Sequence, residues 1–142
     1  MAVVKNVVIR RVDSLIGNVE STQLSSEEFL RGPLLDFMKK VPGSPIAIVI
    51  RLLISEGPRH PDLVNYYYEN VVARGLGAIR QFVARGVERG EFRREALDHQ
   101  PHLFLAPMML SMIWRFVFTD KPLDTDQLME SQIELLLAEM KA

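Results

Sequence analysis

The 142-residue sequence contains no cysteine. That single absence excludes disulfides, thiolate metal sites and cysteine nucleophiles, and it fits a protein of the reducing cytoplasm. Long apolar runs are also missing. The longest, "LFLAPMMLSMIW", is broken by Pro107 and falls well short of the roughly 20 residues of a membrane-spanning helix. Met1 to Arg11 lacks the long apolar core and small-residue cleavage site of a signal peptide. Neither charge sign dominates: 17 Lys and Arg stand against 18 Asp and Glu, for a formal net charge of −1. A chain so balanced offers little counterion release, so negligible DNA affinity is expected of these residues. The mild excess of arginine in the middle of the chain reads as a solvated helix face.

Catalytic sets are equally absent. There is no G-x-S-x-G, no Gly-rich phosphate loop and no Walker pattern. His99 and His102 form H-x-x-H, but Pro101 lies between them and no third ligand is near, so they read as exposed or capping residues at a helix start. Gly75 and Gly77 fall inside a helical pattern, where close packing or a bend explains them better than phosphate binding. Nothing in the sequence brings Glu56 and Glu69 together. The chain is therefore expected to be no enzyme, with no cofactor and no metal. An all-α enzyme built on Tyr and Glu residues is set aside for want of an identifiable nucleophile–base pair.

What is present is apolar and helical. With 48% hydrophobic residues the chain is globular, and its length suits one domain over 1–142. Six helical patterns follow one another. The first runs from Ala2 to Gly17 with Val4, Val8, Val12 and Leu15 on one stripe. Ser25 or Ser26 caps the second, whose apolar side is Phe29, Leu30, Leu34, Phe37, Met38 and Val41. Ser44-Pro45 starts the third, "IAIVIRLLI", which is β-branched yet helical by context, since a lone strand would have no backbone partner. The fourth spans Pro61 to Arg89, closed by Gly90 in the left-handed cap position with Phe92 folding back. The fifth covers Pro101 to Phe118 and the sixth starts at Asp124 or Thr125 and continues to the C-terminus. The expected fold is an all-α six-helix bundle.

The fifth helix is apolar on nearly all sides, so it must be covered on nearly all sides. The sixth has a core stripe at Met129, Ile133, Leu136 and Met140 and a second flank of small, polar and leucine residues. Such a flank suits packing on a copy of itself across a two-fold axis. A homodimer is expected through Leu105, Met109, Trp114, Leu128, Ser131, Gln132, Leu135 and Ala138. The methionines of the fifth helix and the aromatics around them also describe a wall able to repack around varied apolar molecules. Of Tyr66, Tyr67 and Tyr68, about 100° apart on a helix, at least one must face inward.

The stretch "RLLISEGPRHPDLVNYYYENVVARGLGAIRQFVARGVERGEFR" resembles the middle of the C-terminal domain of TetR/AcrR-family transcriptional regulators. The matching signatures are "R-x-P-[DE]-L" after a helix ending in an acidic residue, and a closing "G-x-x-x-G-E-[FL]-R". Here they are Glu56, Arg59, Pro61, Asp62 and Leu63, then Gly86, Gly90, Glu91, Phe92 and Arg93. The hard stop at Gly57-Pro58 resembles the family's turn beside its ligand cavity. The resemblance implies an effector-sensing and dimerisation domain of a repressor, with a small apolar ligand as partner. DNA contact is then expected only through a helix-turn-helix region absent from this chain, and no membrane is involved. An alternative reading is a headless helical protein that acts only through homo- or heterodimer contacts.

Helical phase selects the expected cavity. Phe37 and Met38 come from the second helix and Ile50 and Ile54 from the third. Tyr67 (with Tyr68 as the alternative), Asn70 and Val71 come from the fourth, and Phe104, Met108 and Met112 from the fifth. Pro107 is expected to kink the fifth helix and keep it from closing flush. The ligand is expected between the second to fifth helices, shifting the first.

Overall fold

A computed structural model describes residues 2–142, with side chains from Asn6 onward. Six helices form the bundle. They are α1 (Ala2–Ser21), α2 (Ser26–Phe29 and Leu35–Lys40, joined by a π-helical turn over Leu30–Leu34) and α3 (Pro45–Glu56). Then follow α4 (Pro61–Tyr67 and Ala73–Glu88, joined by a π-helical turn over Tyr68–Val72), α5 (His102–Val117) and α6 (Thr125–Met140). Short 3₁₀ turns occupy Val41–Gly43, Gly57–Arg59 and Arg94–Asp98. The fold is all-α, and the β-branched third helix is helical as its context required.

Local chemistry sets the boundaries. Ser25 Oγ accepts from Glu28 N–H at 3.2 Å, Ser44 Oγ from Ile46 N–H at 3.2 Å and Asp124 Oδ1 from Gln127 N–H at 3.0 Å. Each cap satisfies a helix-start donor that has no partner inside the helix, typically worth about 1 kcal/mol. α1 runs one turn beyond Gly17, to Ser21, and its end is held from α4. Arg85 donates to the carbonyls of Val19 and Glu20, and Arg89 to that of Leu24. Part of the arginine excess thus caps a neighbouring helix rather than merely facing water. Val8, Val12, Leu15 and Val19 bury the inner stripe of α1, while Val4 lies outside the described side chains.

The two π-turns were not anticipated, and each has a local cause. Pro33 lacks the N–H that would bond Phe29 C=O, and its ring would crowd that carbonyl in an α-turn. Widening the turn relieves the clash, and Leu35 N–H reaches back five residues to Leu30 C=O. In α4, Asn70 Nδ2 donates to Tyr66 C=O at 2.8 Å, taking the acceptor that Asn70 N–H would use in an α-helix. Ala73 N–H likewise reaches five residues back, to Tyr68 C=O. α5 stays helical through Pro107, and buried Ser111 Oγ donates to Pro107 C=O at 2.7 Å.

The corner after α4 ties three helices together. Gly90 has φ +76°, the left-handed conformation that favours glycine. Glu91 and Phe92 N–H both bond Gly86 C=O, at 2.9 and 3.1 Å. Phe92 folds back as expected. A Cβ on Gly86 would sit 2.2 Å from its ring, so only glycine leaves room. Phe92 stacks edge-on to Phe82 (5.9 Å, 71°), and Phe82 meets Phe29 of α2 (5.3 Å). The Glu91 carboxylate accepts from the N–H and Oγ of buried Ser26 at 2.9 and 2.8 Å, anchoring the start of α2. Arg93 N–H bonds Met140 C=O at 2.8 Å and its guanidinium binds Glu139, holding the end of α6.

Candidate functional site

Between α1, α2, α3, α4 and α5 lies a cavity of about 90 Å³. Void space that holds one water measures roughly 10–15 Å³ on the same kind of scale, so this exceeds a single-water site severalfold. Its lining is entirely apolar: no ionisable or hydrogen-bonding side chain faces it. An apolar cavity of that kind recognises shape and hydrocarbon surface rather than charge.

The sequence-selected residues divide into two groups. Phe37, Met38, Ile50, Val71, Phe104, Met108 and Met112 lie around the cavity. Ile54, Tyr67 and Asn70 do not. Ile54 is 57% exposed at the end of α3. Positions four apart drift by about 40° on an α-helix, so Ile46 and Ile50 face inward and Ile54 has already turned away. Tyr67 is the buried tyrosine and Tyr68 is 55% exposed, but Tyr67 packs edge-on against Tyr66 (5.2 Å, 90°) outside the lining. Its hydroxyl is buried without a hydrogen-bond partner, and desolvation pushes its pKa upward. Asn70 spends its amide on the backbone of α4.

Phase reasoning missed several wall residues. Val12 and Leu15 make α1 itself part of the wall, and Leu34, Val41, Ile46, Val72, Gly75 and Ile79 fill the remaining sides. Val72 closes the π-turn and Gly75 follows it, and the turn changes the helical phase of everything after it. The signal for that turn was Asn70, placed where its amide can compete for the Tyr66 carbonyl.

The residues expected at a dimer interface are also placed. Ser131, Leu135 and Ala138 are exposed along α6, Leu135 by 69%, and Leu128 is half-buried on the same side. Gln132 Nε2 donates to Leu103 C=O at 2.7 Å, bridging α6 to α5. Trp114 Nε1 donates to Lys121 C=O at 2.8 Å and its ring stacks on Phe118 at 4.8 Å, so it closes the end of α5. Leu105 and Met109 line the cavity, and Met109 is also 37% exposed. The bare side of α5 consists instead of Leu103, Leu110, Ile113 and Val117, exposed by 39 to 62%. Their spacing of seven, three and four residues would have marked them as one face.

No group of three His, Asp or Glu able to hold a metal occurs among the described residues. His99 lies 3.4 Å from Glu139 at the surface. No described helix is long and apolar enough to cross a membrane.

The all-helical bundle thus holds an apolar chamber against its first helix and a bare face across α5 and α6. Residues 30–133 match the family described as Tetracyclin repressor-like, C-terminal domain, and the chain belongs to that family. This is a family of regulatory ligand-binding and dimerisation domains. Curated proteins supply no match to the chain.

Proposed function

We propose that this chain is the effector-sensing and dimerisation domain of a TetR/AcrR-like repressor, and that the effector is a small, uncharged, apolar molecule. The observation that carries the reading is the apolar cavity of about 90 Å³. Four of its wall residues are methionines, Met38, Met108, Met109 and Met112. Methionine is unbranched and adaptable, so the chamber can widen around a guest larger than itself. Val12 and Leu15 of α1 touch the same space, so a guest that widens it displaces α1 directly. In the intact regulator, α1 would carry that displacement toward a helix-turn-helix region and change the spacing of two reading heads. The dimer forms through α5 and α6, burying on the order of 1,200 to 2,000 Å².

Thermal unfolding with a series of neutral aromatic and aliphatic molecules tests the reading. A ligand at one hundred times its dissociation constant adds about 2.7 kcal/mol to the unfolding free energy. Gly75→Leu should erase the effect, since the new side chain enters open space at the cavity wall. Absence of stabilisation by every apolar compound would favour instead a protein that works through dimer contacts alone.

A further inference from the structure

The two π-turns differ in how firmly they are fixed. In α2, Pro33 lacks the N–H that an α-turn would use, and Ser26, one turn earlier, is tied to Glu91 through its N–H and its Oγ. In α4 no proline lies in the turn, and its side-chain bond is Asn70 Nδ2 on Tyr66 C=O at 2.8 Å. A π-turn holds one residue more than the α-turn it replaces. Were α4 wound as α throughout, Pro61–Tyr67 would rotate by about 100° and extend by about 1.5 Å toward the α3–α4 corner. Each place on that segment would then pass to the next residue along the chain. The sequence suits the exchange. The deep place of Tyr67 would pass to Tyr68, and the half-buried places of Tyr66 and Leu63 to Tyr67 and Val64. Tyrosine follows tyrosine and valine follows leucine, so both registers present an apolar face. The same shift in α2 would put Glu27 into the buried place of Ser26. Room for the added length exists at the corner, where Leu52, Glu56, His60, Leu63 and Tyr66 border an open cleft of about 750 Å³.

We propose that α4 is a register switch: Pro61–Tyr67 passes between the π-wound register of this structure and an all-α register one residue along, in which Tyr68 replaces Tyr67 in the core. Asn70 is the latch. Its amide occupies the Tyr66 carbonyl, which the α register needs for Asn70 N–H. The switch also reaches the cavity. Val71 and Val72 belong to the turn and line the chamber, opposite Val12 and Leu15 of α1. Rewinding the turn re-aims the two valines, so the chamber of this structure belongs to the π register. A guest inside it therefore favours that register, by the ratio of its affinities for the two. The coupling to the cavity rests on the sensor reading, whereas the switch itself does not.

The chain has three tyrosines, all in this run, so isotope-labelled tyrosine reports on α4 alone through three amide signals. Helix register shifts fall in the microsecond to millisecond range that relaxation dispersion detects. The wild type is expected to show exchange at all three signals with one common rate. Asn70→Ala should raise the minor population about five-fold, the factor that one hydrogen bond of ordinary net strength supplies. Tyr68→Lys and Tyr68→Glu should each abolish the exchange, because position 68 is exposed in the π register and buried in the other. Circular dichroism checks that the variants keep the helical fold. Saturating benzene, with binding measured by titration calorimetry, should lower the minor population of the wild type. Three static signals in both the wild type and Asn70→Ala would overturn the switch, as would exchange that persists in the Tyr68 variants. Exchange left unchanged by bound benzene would overturn the coupling to the cavity. Failure of benzene to bind would overturn the sensor reading and the coupling with it, while the response to the variants would still establish the switch.

Discussion

The corner at Gly86–Arg93 and the cavity wall lie on the same bundle and are built on opposite principles. At the corner, nearly every group has a fixed partner: a glycine at φ +76°, a carboxylate on buried Ser26, a phenylalanine ring over a glycine, and an arginine on the end of α6. At the cavity, methionines and valines meet across empty space, and both π-turns contribute residues to the wall. The residues that carry the closing half of the family signature, Gly86, Gly90, Glu91, Phe92 and Arg93, all belong to the corner. They specify how helices join, and none of them lines the cavity. A rigid corner with a deformable chamber lets the chamber change shape without loss of the fold.

The largest expected effect comes from breaking the corner. Phe92 is 3% exposed and bridges Phe82 to Gly86. Phe92→Ala should cost about 3–5 kcal/mol, the usual range for removing a buried aromatic ring, with the denaturant slope unchanged. A loss below about 1 kcal/mol would show that the corner collapses freely and is not the rigid half of the comparison. Gly86→Ala comes next. The added methyl would lie 2.2 Å from Phe92 Cδ2 and 2.6 Å from Cε2, so the ring must leave its place. Overpacking of that kind typically costs about 1–3 kcal/mol, more than the helix propensity alanine contributes. Urea unfolding of the pair, singly and combined, should show strong non-additivity, because both changes act on one contact.

The same contrast explains what was legible in the sequence. Helix number, caps and the corner were readable, because each depends on near neighbours: Ser25, Ser44 and Asp124 at helix starts, Gly90 and Phe92 at a helix end. The cavity was readable only where helical phase stayed regular. Phe37 with Met38, and Phe104 with Met108 and Met112, were placed by spacing alone. The π-turn at Tyr68–Val72 breaks the regular phase, so Val72 within it and Gly75 beyond it join the wall unannounced, while Asn70 spends its amide inside the turn and Tyr67, just before it, packs on Tyr66. The share of α1 was hidden for another reason: its apolar stripe shows that Val12 and Leu15 are inside, but not that they face a void.

Tyr67, buried on α4 outside both the corner and the cavity lining, offers a smaller and sharper probe. Its hydroxyl is buried without a partner, which typically costs 1 kcal/mol or more relative to a hydrogen atom in the same place. Tyr67→Phe should therefore stabilise the fold by about 1 kcal/mol. Burial raises the phenol's folded-state pKa above its unfolded value. The neutral phenol's contribution is then complete below the unfolded value near 10 and is lost as pH rises through the folded one. The variant should lack this alkaline loss. Denaturant midpoints at pH 7 and above pH 10 check both points, and a wild type and variant that weaken in parallel would place the phenol in contact with water.

The finest test sets one glycine of α4 against another. Gly75 and Gly86 lie in the same α-helical segment, Ala73–Glu88, and intrinsic propensity favours alanine at both by about 0.8–1 kcal/mol. At Gly86 the corner reverses that preference. At Gly75 nothing opposes it, because an added Cβ meets no atom within 4 Å. Gly75→Ala should thus stabilise the fold by up to about 1 kcal/mol, read as a higher denaturant midpoint with an unchanged slope. The new methyl also narrows the chamber from the α4 side, so the stabilised variant should bind benzene more weakly than the wild type. Opposite signs for one substitution at two positions of one helix would place the boundary between the rigid and deformable halves within the twelve residues from Gly75 to Gly86. Destabilisation at Gly75 would mean that the wall there is already closed, and the chamber would then have to open elsewhere.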